Sequence, residues 1–144
     1  MLKKTVTYED FDGQKRTEDF YFNLTEAELT EMETSMNGGF SQLLQKIIQE
    51  NDMRRIIEYT KAIVLKAYGE KSLDGRTFKK NATIREEFES SAAYSVIFME
   101  LAQDADKAAD FIKGILPKSL SAEIDKVDAN ALPGQAPIDF KPQV

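Results

Sequence analysis

The stretch "TVTYEDFDGQKRTEDFYFNLTEAE", residues 5 to 28, decides how the fold begins. Residues 3 to 10 and 15 to 24 are rich in Thr, Val, Tyr and Phe, and they flank Asp12-Gly13, a dipeptide typical of a tight turn. In the second run, apolar residues alternate with their neighbours as one buried face of a strand would: Phe20, Phe22 and Leu24. The pattern predicts a β-hairpin.

The end of the same stretch predicts the start of a helix. Thr25 followed three residues later by Glu28 is a capping box, and apolar residues then recur at helical spacing until Asn37-Gly38-Gly39. The other side of this helix is acidic and predicts a solvated face. Because a two-stranded hairpin is marginal alone in water, we expect it to lie against the helices that follow.

Four more helical patterns follow along the chain. Apolar stripes at 40 to 48 and 53 to 68 meet at residues 50 to 52, and they form either two helices or one kinked helix. The next helix is predicted to begin at a second capping box, Thr83 with Glu86, and to carry apolar residues toward a core: Phe88, Tyr94, Ile97, Phe98 and Leu101. The last runs from about 105 to 116 and ends at Gly114 and Pro117, with small residues that allow close helix approach.

The amino-acid composition of the chain changes after Pro117. All four prolines lie at 117 or beyond, and large apolar groups become few. The sequence therefore predicts a single domain over residues 1–117 and a flexible tail over 118–144, with a short helical turn near 121 to 127. The predicted fold class is mainly α, of the α+β type, with an N-terminal β-hairpin packed on a bundle of about five helices.

Composition excludes several classes of protein. The 144 residues have a formal net charge of -6 and contain no cysteine, histidine or tryptophan. Disulfides, thiolate chemistry, imidazole bases and zinc sites built on Cys or His are therefore excluded. No apolar run suggests a membrane span or a secretory signal, so we expect the protein to stay in a cytosol.

The stretch "YGEKSLDGRTFKKN", residues 68 to 81, has two glycines and a cluster of positive charge in an otherwise acidic chain. It is not a phosphate loop, because the spacing of Gly69 and Gly75 is wrong and a helix rather than a strand precedes it. It is interpreted as an ordered connection, with Gly69 as the C-cap of a helix and Asp74-Gly75 as a turn. Nucleic-acid binding is disfavoured, because Phe78 is the only aromatic residue among the basic residues between 69 and 85.

Candidate catalytic and metal-binding patterns are weak. Asp104, Asp106 and Asp110 lack the Gly and Glu that complete a calcium loop, and they are better explained as acids near a helix N-terminus. Glu86, Glu87 and Glu89 have no visible partner for acid-base work, and no serine has a histidine to activate it. The sequence predicts a protein that is not an enzyme and needs no cofactor or metal.

The remaining interpretation is that the protein has a surface that binds another protein. The apolar side of the helix near 94 to 101 is wide, because Val96 and Met99 extend it, so this helix is either central or covered by a partner. Several wide apolar faces, five methionines and an acidic exterior suit a protein that binds amphipathic helices of another protein.

Three features resemble the tail assembly chaperones of long-tailed phages and prophages of Gram-positive bacteria. They are the Asp-Gly hairpin, the loop Tyr-Gly-x-x-Ser-x-Asp-Gly-x-x-Phe that begins at residue 68, and the helix Ala-Tyr-Ser-x-x-Phe-x-Glu-Leu that begins at residue 93. The resemblance covers about residues 4 to 117. It implies a non-enzymatic protein that coats the tape measure protein, helps bring tail tube subunits to it and is absent from the finished virion. It also implies short and frameshift-extended forms, of which this Pro-rich end suits the short one.

The first hypothesis is therefore a chaperone of the host bacterial cytoplasm whose partners are the tape measure protein and the tail tube protein, with self-association left open. The predicted partner-binding residues are Tyr59, Tyr68, Phe78, Met99, Lys71, Arg76, Lys79 and Lys80. The first alternative is a structural virion protein, a tail or connector subunit, that uses the hairpin edge for strand addition. The second alternative is a nucleic-acid-binding regulator that uses the lysines and arginine of the 68 to 81 stretch.

Overall fold

The computed structural model describes residues 1–35 and 53–118, which form four strands and five helices. In chain order they are β1 Leu2–Glu9, β2 Lys15–Phe22, α1 Glu26–Ser35, α2 Met53–Ala67, β3 Tyr68–Lys71, β4 Phe78–Lys79, α3 Ala82–Glu89, α4 Ala92–Gln103 and α5 Ala105–Ile115. The predicted fold class, a hairpin followed by about five helices, is confirmed. The predicted helix at 40 to 48 and the tail beyond Lys118 lie outside the described residues, and the division into residues 1–117 and 118–144 stays a prediction.

The N-terminal hairpin is confirmed in its register and its turn. Strands β1 and β2 pair antiparallel from Leu2 opposite Phe22 to Glu9 opposite Lys15. The Asp10 carboxylate accepts the backbone N–H groups of Asp12 and Gln14, both at 2.9 Å, and Gly13 has φ +83°. A glycine fits this left-handed position without the strain that a Cβ would bring.

The stretch from 68 to 81 is not simply a connection, and this prediction was wrong in part. It forms β3 and β4, so the sheet has four strands in the order β1-β2-β3-β4. Gly69 is not a helix C-cap but lies within β3 opposite Tyr21. A Cβ on Gly69 would lie 2.8 Å from the Phe78 ring and 2.9 Å from the Lys79 carbonyl oxygen, so the close approach of β4 requires glycine. The predicted turn at Asp74-Gly75 is confirmed, with Gly75 at φ +75°.

The helix starts are confirmed in one case and corrected in another. The Thr25 and Glu28 capping box forms, with bonds from Thr25 N to Glu28 Oε1 at 2.9 Å and from Glu28 N to Thr25 Oγ1 at 3.1 Å. Thr83 is not an N-cap, because α3 begins two residues earlier than predicted and Asn81 Oδ1 accepts the Ile84 N–H at 2.8 Å.

The long helix predicted from Thr83 onward is two helices. Its path breaks at Ser90 and Ser91, and α4 starts anew with Ser91 as N-cap. Ser91 Oγ accepts the Tyr94 N–H at 3.2 Å and donates to the Phe88 carbonyl at 2.6 Å. One hydroxyl therefore bonds both the end of α3 and the start of α4.

The core lies between the inner face of the sheet and the helices. Its fully buried side chains come from distant parts of the chain: Phe22, Leu24, Val64, Ile97 and Ile115. Backbone bonds join β2 to helix ends, from Asn23 N to Ala67 O and from Leu24 N to Ile115 O, both at 2.8 Å. A Cβ on Gly114 would lie 3.0 Å from Leu2 Cδ1, so the small residues of α5 allow it to pack closely on the hairpin.

Candidate protein-interaction surface

Lys80 anchors the second half of the sheet through its ammonium group. Its Nζ donates to the Asn23 carbonyl at 2.7 Å, to Glu28 Oε2 at 2.8 Å and to the Lys66 carbonyl at 3.0 Å. An ammonium has three donor hydrogens, and here each has an acceptor. Lys80 is therefore engaged within the protein, whereas the sequence placed it among the surface cations.

The Lys80 and Glu28 pair is partly buried, and burial acts on both groups. Burial lowers the pKa of Lys80, and the nearby Glu28 opposes that change. For Glu28, burial alone would raise the pKa, but the hydrogen bonds from Lys80 and Thr25 outweigh it and the pKa lies below its usual value. Glu28 thus stays ionised and completes the anchor.

Tyr59 and Tyr68 are half-buried at the margin of the core. The Tyr68 ring stacks on Phe88 with centroids 4.0 Å apart and planes 13° apart, and it meets Phe22 at 5.7 Å. Burial raises the pKa of the Tyr68 hydroxyl. Only part of each ring faces outward, so these residues stabilise the fold whatever else they contact.

Phe78 lies over Gly69 on the outer face of the sheet, where it is half-buried. Two cations flank this aromatic patch: Lys71 Nζ lies 5.6 Å from the Tyr21 ring, and Lys80 Nζ lies 5.6 Å from the Phe78 ring. Lys71, Arg76 and Lys79 are exposed. Lys71 lies opposite Phe78 in the sheet, Arg76 lies in the turn between β3 and β4, and Lys79 follows Phe78 in β4, while Met99 lies on α4.

Helix α4 carries an exposed face without charge. This face, the α4 strip, consists of four exposed residues, Ser95, Val96, Met99 and Gln103, and of the partly buried Ala92. Val96 and Met99 keep 43% and 44% of their surface exposed. Along the opposite side of the same helix, Ala93, Ile97 and Leu101 are buried. A helix that is apolar on nearly all sides is normally covered on all sides, whereas residues 1–35 and 53–118 leave this face of α4 exposed.

The sequence pattern pointed to Met99 as a surface residue but not to other exposed apolar residues, among them Val96, Phe11 and Leu73. Val96 was seen only as widening the apolar side of the helix. Phe11, 83% exposed, and Leu73, fully exposed, each lie immediately before an Asp-Gly turn. The register of β2 with β3 directs both turns to the same end of the sheet. The available signal was an apolar residue beside a turn dipeptide.

Two further features of the described residues are a small depression and an acidic helix start. A small depression between α2, α4 and α5 is lined by uncharged residues: Thr60, Ile63, Val64, Leu101, Ala108, Phe111 and Ile112. Asp104 accepts the N–H groups of Asp106 and Lys107 as the N-cap of α5, as its position near a helix start predicts. Within residues 1–35 and 53–118, no cluster of acidic residues is placed to hold a metal ion, and no helix is long and apolar enough to cross a membrane.

Comparison with known proteins adds a family assignment. Residues 1–139 match the family model described as phage tail assembly chaperone. No curated protein and no solved structure matches the chain. The matched range includes both hairpins, the Lys80 anchor and the α4 strip.

Proposed function

From the premise that the chain belongs to the phage tail assembly chaperone family, we propose that it acts in tail assembly by binding the tape measure protein and helping to bring tail tube subunits to it. The family supports a chaperone role in tail assembly and tail proteins as partners. The choice of the tape measure protein rests on the resemblance described above and on the shape of the exposed apolar surface.

The observation that carries the proposal is the α4 strip. Val96 and Met99 lie one turn apart on an exposed helix, and the other positions of the strip are small or polar without charge. An amphipathic helix of a partner can lie along such a strip without desolvating a charged group. Each CH₂ group removed from water contributes about 0.8 kcal/mol, so many copies with small contacts suffice to keep a long apolar helix in solution.

The remaining predicted residues have different parts in this proposal. We place Met99, together with Val96, at the centre of the contact with the tape measure protein. Exposed Lys71, Arg76 and Lys79, next to Phe78, would meet an acidic segment of a partner. Tyr59 and Tyr68 would contribute only their outward edges, and Lys80 would act by holding the sheet in place.

Co-expression with the tape measure protein tests the proposal. The wild-type chain is expected to keep the tape measure protein soluble and to purify with it. The double variant Val96→Lys and Met99→Lys should lose the complex, because two charges would be buried in the contact. The matched control, the double variant Phe11→Lys and Leu73→Lys, introduces the same two charges at exposed apolar positions beside the sheet turns and should keep it. A tape measure protein that is equally soluble alone, or a complex that survives the double variant, contradicts the proposal.

We also propose that the protein works in the cytoplasm of the host bacterium and leaves before the particle is complete. Mass spectrometry of purified particles separates this from the structural alternative. A chaperone should be missing from the particles, whereas a tail or connector subunit should be present in many copies. Retention on DNA or RNA that weakens with salt would instead support the nucleic-acid alternative.

A further inference from the structure

Strand β1 forms one edge of the sheet, and some of its backbone N–H and C=O groups point away from β2. Within residues 1–35 and 53–118, β2 pairs with one side of β1 and no strand pairs with the other. In an antiparallel pair, the backbone N–H and C=O groups of successive residues point alternately toward and away from the partner strand. Asp10 N donates to Gln14 O at 2.9 Å, so the backbone groups of even-numbered β1 residues point to β2. Those of Lys3, Thr5, Thr7 and Glu9 therefore point to the open edge.

The side chains of these four residues lie together on the outer face of the sheet and are exposed. Thr5 donates to Asp19 at 2.6 Å, and the Thr7 and Thr17 hydroxyls lie 2.9 Å apart. The threonines are thus held by β2, while Lys3 and Glu9 mark the two ends of the edge with opposite charges. An eight-residue edge without proline is a template for another strand.

We propose that the β1 edges of two copies of this chain pair antiparallel about a twofold axis at Val6. In this register Lys3 lies opposite Glu9 of the second copy, and Thr5 lies opposite Thr7. The charge pair occurs twice, as twofold symmetry requires. The residues brought opposite one another are those whose backbone groups point outward, so each pair can exchange two hydrogen bonds.

Neighbouring registers lack this match. A shift of one residue sets outward-pointing backbone groups against groups already bonded to β2. A shift of two residues in either direction sets a threonine opposite Lys3 or Glu9 and leaves those charges without an opposite charge. The sequence of the edge therefore favours one register over the others that its backbone allows.

Lysines on an edge strand usually discourage pairing with another chain, but both lysines of β1 are accounted for here. Lys4 points to the inner face, where its Nζ lies 3.0 Å from Glu100 of α4 in the same copy. Lys3 meets Glu9 of the second copy. When two β1 edges pair, each positive charge on one edge therefore lies opposite a negative charge on the other.

The paired sheet would also bring the two α4 strips together. Val96 lies one helical turn from Glu100, which binds Lys4 of β1, so the α4 strip borders the flank on which the edge is open. Antiparallel pairing keeps the inner faces of both sheets on the same side. The inference does not rest on the proposed function, since it concerns only the second copy of the chain.

Charge exchange tests the pairing in solution. The dissociation constant of the dimer is measured by analytical ultracentrifugation for the wild type, Lys3→Glu, Glu9→Lys and the variant that carries both. Each single variant sets like charges opposite one another twice, so its dissociation constant should rise about tenfold. The double variant restores opposite charges and should recover the wild-type value. Arg76→Glu, which changes the charge equally on a distant turn, should have no effect.

The register has its own test, because the chain contains no cysteine. Residues 5 and 7 of opposite copies would have Cα atoms about 5.5 Å apart, within the range that a disulfide can join. Mixing Thr5→Cys with Thr7→Cys under oxidising conditions should give a disulfide-linked dimer, and neither variant alone should. A wild-type protein that is monomeric at every concentration, single charge variants that dimerise as well as the wild type, or a double variant that stays monomeric would overturn the proposal. Circular dichroism confirms that each variant is folded.

Discussion

The two hairpins of the sheet share a turn but differ in what supports them. Asp10-Phe11-Asp12-Gly13 and Ser72-Leu73-Asp74-Gly75 both place an exposed apolar residue before Asp-Gly. In both, the glycine N–H donates to the first residue's carbonyl at 3.0 Å, and the glycine has a positive φ.

The first turn joins strands of eight residues, whereas the second joins strands of four and two residues. The first hairpin is thus supported by its own ladder. The second depends on Lys80, on the stacking of Tyr68 on Phe88 and on the contact of Phe78 with Gly69. The two turns have similar sequences and hydrogen bonds. The long strands of the first hairpin add a ladder of their own, whereas the short strands of the second hairpin depend on contacts with the rest of the protein.

Removal of the Lys80 ammonium should destabilise the protein more than the other changes to the second hairpin. Lys80→Met removes the ammonium that donates to the Asn23 and Lys66 carbonyls and to Glu28 Oε2, and the free energy of unfolding should fall by about 3 kcal/mol. Denaturant titration measures the change. Lys79→Met is the matched control, because Lys79 is exposed, and it should change stability by less than about 0.5 kcal/mol. Equal losses in the two variants would show that Lys80 has no anchoring role.

A methyl group at Gly69 should have the next largest effect. Gly69→Ala places Cβ 2.8 Å from the Phe78 ring and 2.9 Å from a backbone oxygen, so β4 must shift. We expect a loss of about 2 kcal/mol in the free energy of unfolding, measured by the same titration. A stability equal to that of the wild type would mean that β4 moves away freely.

Replacement of the turn glycine should lower the stability by the same amount in both hairpins. Gly13→Ala and Gly75→Ala meet open space, and each loses only the freedom of glycine at positive φ, so each should lower stability by about 1 kcal/mol. Asparagine tolerates this conformation better, and Gly13→Asn and Gly75→Asn should lose less. A marked difference between the two alanine variants would contradict the statement that the turns are equivalent.

The smallest expected effect is on how the free energy of unfolding changes as the pH is lowered. The folded state lowers the pKa of Glu28 from its usual 4.5, so the stabilisation is present above that value and is lost as pH falls through the lowered pKa. The fall in unfolding free energy between about pH 6 and about pH 3 should therefore be smaller in Lys80→Met than in the wild type. An identical fall in both proteins would show that the pair does not contribute.

The contrast between the hairpins also explains what could be predicted from the sequence. The first hairpin was predictable because its alternation and its turn are local signals. Strands β3 and β4 are too short to show alternation, and their pairing depends on Tyr21 opposite Gly69, which is a tertiary fact. The N-cap of α3 was misplaced because Asn81 and Thr83 are both suitable capping residues, and only the path of the chain selects Asn81.

The candidate surface divides in the same way. Met99 and Val96 were visible as an apolar side too wide for one core contact. Phe11 and Leu73 were not, because a single apolar residue beside a turn has no period. The sequence placed Lys80 among the surface cations, and its acceptors come from residues 14 to 57 positions away, which no local pattern reveals.

The bond between Leu24 N and Ile115 O has a consequence for synthesis on the ribosome. The hairpin is made first and can form its ladder early, but its apolar inner face packs against α4 and α5. Leu2 and Leu24 reach their final neighbours only after residue 116 has left the exit tunnel. For most of translation this face is therefore exposed, and the nascent chain itself passes through a period in which it is prone to aggregate.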